Sequence, residues 1–140
     1  MTPKKTIILV DDDVDTLEQV SLLLKADGYD VRTAASQKEA EELLLGVRPD
    51  LAIVDLMMEH MDSGLILCHQ LKKLYPQMPV IMLTAVTSET GLTLNASTAE
   101  ARSWLMADLI LDKPARPEQI SSEVKRLLQE PADAAREHAH

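Results

Sequence analysis

The chain has 140 residues, 46% of them hydrophobic, with no Phe and a formal net charge of −9. That length suits one domain with a sizeable core, and the apolar content excludes wholesale disorder. The acidic balance argues against direct nucleic-acid contact, which calls for clustered Lys and Arg, and no apolar run approaches the roughly 20 residues that span a bilayer.

The apolar run after Lys4 and Lys5 is too short for a signal peptide. A single cysteine, Cys68, excludes an internal disulfide framework. The expectation is a cytoplasmic protein without membrane contact.

In chain order, Ile7–Val10 reads as a first strand, ending at Asp11, Asp12 and Asp13. Leu17, Val20, Leu23 and Leu24 then form a helical stripe over about 15–27, with Gly28 placed for a left-handed C-terminal cap. Asp30–Ala34 is a short second strand. Ser36 and Glu39 have the spacing of a capping box, opening a helix that carries Ala40, Leu43 and Leu44 and stops near Gly46. A third strand, Leu51–Val54, runs into Asp55, and a helix over about 64–75 uses Leu67, Leu71 and Leu74. Pro76 and Pro79 bracket the turn into a fourth strand, Val80–Leu83, which ends at Thr84.

The stretch 86–96 reads as a long loop, and Ser97 with Glu100 opens a short helix over about 98–107. A fifth strand, Leu109–Leu111, leads to Asp112, Lys113 and Pro114. Pro117 suits a first helical turn, and Ile120, Val124, Leu127 and Leu128 follow at helical spacing. The domain is expected over 1–130, with 131–140 as a C-terminal tail or the root of a linker.

Short apolar runs without alternation suggest strands buried on both faces, the habit of a parallel sheet. Alternation with helices implies an α/β fold, doubly wound and flavodoxin-like, with five parallel strands in the order 2-1-3-4-5 and helices on both faces. Ligands in such sheets bind past the carboxyl ends of the strands. That edge would gather Asp11, Asp12, Asp55, Thr84 and Lys113. Three carboxylates brought together repel one another unless a cation joins them. Oxygen ligands without His or Cys favour Mg²⁺ over zinc. An Asp carboxylate can accept a phosphoryl group, whose oxygens Lys113 and Thr84 could then stabilise.

These motifs, Ile8–Asp13, Leu51–Met57, Val80–Ala85 and Asp112–Pro114, resemble those of response-regulator receiver domains, the phosphoacceptor modules of two-component signalling. The resemblance covers roughly residues 5–130. It implies Asp55 as phosphoacceptor and Thr84 and Lys113 as phosphoryl-binding groups. It further implies Mg²⁺ held by Asp12 and Asp55, by Asp11 through water and by the Met57 carbonyl. The same resemblance implies a sensor histidine kinase or phosphotransfer protein as donor, and a downstream protein or fused output domain as recipient. It suggests a cis Lys113–Pro114 bond and allows a homodimer through the 98–107 helix, the fifth strand and the last helix. Such a domain is not an enzyme in the ordinary sense, catalysing only its own phosphorylation and dephosphorylation.

Departures from the family pattern point to a remodelled signalling face. Ile110 stands where an aromatic switch residue is usual, three positions before the lysine. Glu59 and Ser63 replace the usual Pro and Gly after the phosphoacceptor, with Gly64 one position late, and the 84–113 segment is longer than in compact members.

Two other functions fit parts of the pattern. A receiver-shaped interaction module could signal without phosphorylation. A haloacid-dehalogenase-type phosphatase could use Asp11 and Asp13, but it needs an acidic pair where this chain has Asp112 before Lys113. Met57, Met58 and Met61 read as loop packing, His60 and His69 as solvent-facing, and Cys68 as a small buried hydrophobe. Trp104, the only Trp, reads as packing or as an interface anchor near the signalling face.

By the same resemblance, Met57 and Val86 occupy the positions where receivers tune the access of water to the acyl phosphate, and both are apolar. Slow self-dephosphorylation is therefore expected. Polar substitutions at Met57 and Val86 should shorten the half-life of the phosphorylated chain, followed by loss of the adduct mass over time.

Overall fold

A computed structural model describes residues 4–56, 63–84, 107–113 and 115–128. Its five strands are β1 (Thr6–Val10), β2 (Asp30–Ala34), β3 (Leu51–Asp55), β4 (Val80–Thr84) and β5 (Leu109–Asp112). They form one parallel sheet in the order β2-β1-β3-β4-β5. The described helices are α1 (Val14–Ala26), α2 (Gln37–Leu44), α3 (Ser63–Leu74) and α4 (Pro117–Leu128). The order and the doubly wound architecture are those expected from the sequence.

The period of two along each strand divides the core into two layers. Ile7, Leu9, Ile53, Ile81 and Leu83 point to one face, where Val20 and Leu24 of α1 and Ile120 and Val124 of α4 cover them. Ile8, Val10, Val54 and Met82 point to the other, against Ala40 of α2 and Leu67, Cys68 and Leu71 of α3. Both β3 and β4 are buried along their whole length, which is why their sequences show runs and no alternation.

Local signals set the helix ends. Asp13 caps α1, accepting the Asp15 N–H at 3.1 Å, so the helix begins one residue earlier than expected. Gly28, at φ 101°, makes the left-handed turn after it. Ser36 Oγ accepts the Glu39 N–H at 3.1 Å, while the Glu39 carboxylate reaches back to the Ala35 N–H at 2.8 Å. The return bond thus falls one residue before the usual capping-box partner. Ser63 begins α3 one residue ahead of the expected Gly64, and Pro117 is the first residue of α4.

A polar latch not foreseen in the sequence joins the starts of β4 and β5. Asp108 accepts from Lys72 Nζ at 2.7 Å and from the Val80 N–H at 2.8 Å, and Lys72 also reaches the Met78 carbonyl at 2.8 Å. Ile110 pairs with Met82 and lies half-buried against the α2–α3 layer. The expected 98–107 helix, the 86–96 loop and Trp104 lie outside the described residues. So do Met57, Met58, Glu59, His60, Met61, Val86, Pro114 and the 131–140 tail.

Two substitutions probe this frame. Ser36→Ala should cost about 1 kcal/mol through the lost cap. Leu67→Ala, at a fully buried site, should cost about 2–5 kcal/mol. Each is read as a fall in the urea midpoint at unchanged slope.

Candidate functional site

Strand register decides which side chains meet. Val10 pairs with Val54, so Asp11 and Asp55 emerge side by side from the ends of β1 and β3. Asp55 pairs with Leu83, which places Thr84 one step further along β4, and Thr84 pairs with Asp112, the residue before Lys113. The Lys113 N–H donates to the Thr84 carbonyl at 2.7 Å, prolonging the ladder to the lysine itself.

Lys113 then reaches back across β4. Its ammonium lies 3.0 Å from Asp11 Oδ2 and 3.4 Å from Asp55 Oδ2. Asp11 is fully buried and Asp55 nearly so, whereas Asp12 is exposed at the rim. One carboxylate oxygen from each of Asp11, Asp12 and Asp55 lies within 4.8 Å of the others. Thr84 is buried at the end of β4. Met57, expected to lend its carbonyl, lies outside the described residues. The structure therefore brings together the three expected acids and Lys113, with Thr84 at the end of the intervening strand.

Two backbone devices that sequence reasoning underrated hold the acids in place. The Asp13 N–H donates to Asp11 Oδ1 at 2.9 Å, so the residue that caps α1 also orients the buried carboxylate. The Thr16 hydroxyl donates to Asp13 at 3.0 Å and holds the Asp13 carboxyl below its ordinary value. Gly64 packs directly on the end of β3. Its N–H donates to the Leu56 carbonyl at 2.9 Å, and a Cβ there would lie 2.6 Å from Leu56 Cα and collide with the Asp55 carbonyl. The displaced glycine was the available signal, since close backbone approach is a standard use of that residue.

The charges do not balance. Burial, then the neighbouring Asp11 charge, pushes the Asp55 carboxyl up to about 7, with Lys113 pulling the other way. Burial disfavours the Lys113 ammonium, yet its bond to Asp11 and the two carboxylate charges raise its pKa overall. Three carboxylates thus face one ammonium. Asp11 Oδ2 touches that ammonium as an ion pair but accepts no well-aligned hydrogen bond. A buried, under-satisfied oxygen within an all-carboxylate set, with no His or Cys in the cluster, fits a hard divalent cation.

The description of the response regulator receiver domain family matches residues 7–125. The chain belongs to that family. It is 32% identical over 131 residues to the alkaline phosphatase synthesis transcriptional regulatory protein PhoP of Bacillus subtilis, covering 94% of this chain and 51% of that protein. It is 34% identical over 137 residues to the response regulator MprA of Mycolicibacterium vanbaalenii, covering 95% and 55%. The chain thus spans about half the length of these relatives. Among solved structures it resembles a CheY-like receiver domain protein of Methanospirillum hungatei, at 27% identity and a TM-score of 0.74, covering 91% of this chain and 95% of that one. The chemotaxis protein CheY4 of Vibrio cholerae is similar at 28% identity and a TM-score of 0.74, with 89% and 99% covered. No described helix is long and apolar enough to cross a membrane.

The Asp55 shift carries a sign that can be measured. Its folded value lies above the ordinary 3.8, so the unfolded chain binds fewer protons from about 3.8 to about 7. This carboxyl therefore lowers stability as pH rises through that window. In metal-free buffer Asp55→Asn should melt higher than the wild type at neutral pH, and the gap should close near pH 4. Gly64→Ala should lower the melting temperature and weaken divalent-cation binding, because the backbone behind Asp55 must shift.

Proposed function

We propose that this receiver domain accepts a phosphoryl group on Asp55 in an Mg²⁺-dependent transfer from a histidine kinase or phosphotransfer protein. The observation that supports this most directly is Lys113, held between Asp11 and Asp55 across an intervening strand. A deprotonated Asp55 oxygen attacks phosphorus, forming a P–O bond. The donor's P–N bond breaks, and the leaving imidazole takes up a proton. Hydrolysis of the resulting acyl phosphate releases inorganic phosphate and restores the carboxylate.

Asp12 and Asp55 would hold the cation directly and Asp11 through water, with the Met57 carbonyl as the further ligand. When bound, Mg²⁺ neutralises charge on the transferring oxygens. Lys113 supplies a fixed positive charge to the same group, and it needs only to exchange one anionic partner for another. Thr84, at the end of β4, would donate its hydroxyl to a phosphoryl oxygen. The switch would then run through β4 and β5, with Ile110 in the place of an aromatic switch residue. The domain acts chemically on itself alone, in the cytoplasm, and passes the signal to a fused output domain or a separate protein.

Incubation with acetyl phosphate and Mg²⁺ tests this reading by intact mass. One hydroxylamine-labile phosphoryl adduct is expected, failing to form when Mg²⁺ is chelated beforehand and missing in Asp55→Asn. A folded chain that gains no adduct, even from a panel of kinases, would instead support an interaction module independent of phosphorylation. Steady turnover of a phosphomonoester would support the phosphatase reading.

A further inference from the structure

A groove of about 540 Å³ runs between α2 and α3, away from the phosphoryl site. Leu44 and Tyr75 line it half-buried, whereas Leu45 and Leu74 stand 88% and 57% exposed beside them. A leucine that open costs solubility without contributing to this fold, and two at one groove form an apolar surface with polar margins.

The margins carry the information about what covers it. Glu41 lines the groove from α2 and Lys73 from α3. Glu41 accepts a hydrogen bond from Gln37 at 3.0 Å, and Lys73 forms no ion pair among the described residues. Gln70 of α3 lines the groove between them.

We infer that this groove is a self-association surface, closed by a second copy of the same chain related by a twofold axis. In such an interface one patch faces itself, so residue i meets residue j and j meets i. Glu41 of each copy would then meet Lys73 of the other, and the exposed leucines would fill the facing grooves. A strongly acidic partner would match Lys73 but meet Glu41 with like charge, and a strongly basic one would do the reverse. A twofold copy satisfies both sides at once. The net charge of −9 opposes association over the whole surface, so the pairing rests on these local contacts. This face is built from α2 and α3 without β5, and its pairing does not depend on phosphorylation.

Sedimentation velocity on the full chain from micromolar to millimolar concentration tests the inference. A reversible monomer–dimer equilibrium is expected without any phosphodonor. Leu45→Glu should abolish it while leaving the circular dichroism unchanged, because Leu45 is already almost fully exposed. Glu41→Lys and Lys73→Glu should each weaken the dimer about tenfold, and the double exchange should restore it. A wild type that stays monomeric throughout overturns the proposal. So does a dimer indifferent to Leu45→Glu, a double exchange that fails to restore affinity, or association seen only with acetyl phosphate.

Discussion

The site depends on one arrangement, two carboxylates buried at the ends of neighbouring strands and a lysine that reaches both. Asp11 and Asp55 would repel each other in a medium that screens poorly. Burial and that repulsion together, only partly offset by Lys113, are why Asp55 holds its proton far above the ordinary carboxylate range. A buried ion pair of this kind is weak evidence for stability. Its value lies in the charge it leaves over. A surplus of negative oxygen fixed in a rigid frame attracts a cation, and the same ammonium is ready for an incoming phosphoryl group.

The frame is rigid because strand register, not flexible loops, spaces the groups. Apolar runs packed on both sides hold β3 and β4, and the carboxyl ends of these strands are fixed within the ladder. Gly64 lets the start of α3 press on the backbone behind Asp55, and the Asp13 amide fixes the buried Asp11. At the opposite edge, the Lys72–Asp108 latch fastens the start of β5 to α3 and β4. The reactive groups therefore sit on an element secured at both ends.

Much of this was legible beforehand. Unbroken apolar runs ending in Asp, Thr or Lys revealed buried parallel strands, and the chemistry of those terminal residues indicated the site. The helices followed from leucine spacing and from caps such as Ser36 and Gly28. What escaped was anything decided by distance in space. Asp13 and Asp15 are equally good caps by composition, and only the folded backbone selects Asp13. The link between Lys72 and Asp108 spans 36 residues and leaves no periodic trace. Gly64 was recognisable as displaced, but the collision that demands a glycine depends on how α3 meets β3.

The bond between Lys113 and Asp11 closes a separation of 102 residues. Each strand pairing is parallel, so the chain must complete a crossover before each new neighbour can dock. The lysine arrives with the last strand. A nascent chain emerging from its N-terminus would present both acids before their counter-charge existed, and a fragment ending before β5 could not assemble the reactive set. Chemical competence in this chain is therefore a late and cooperative property of folding, and its presence reports that the sheet has been completed from edge to edge.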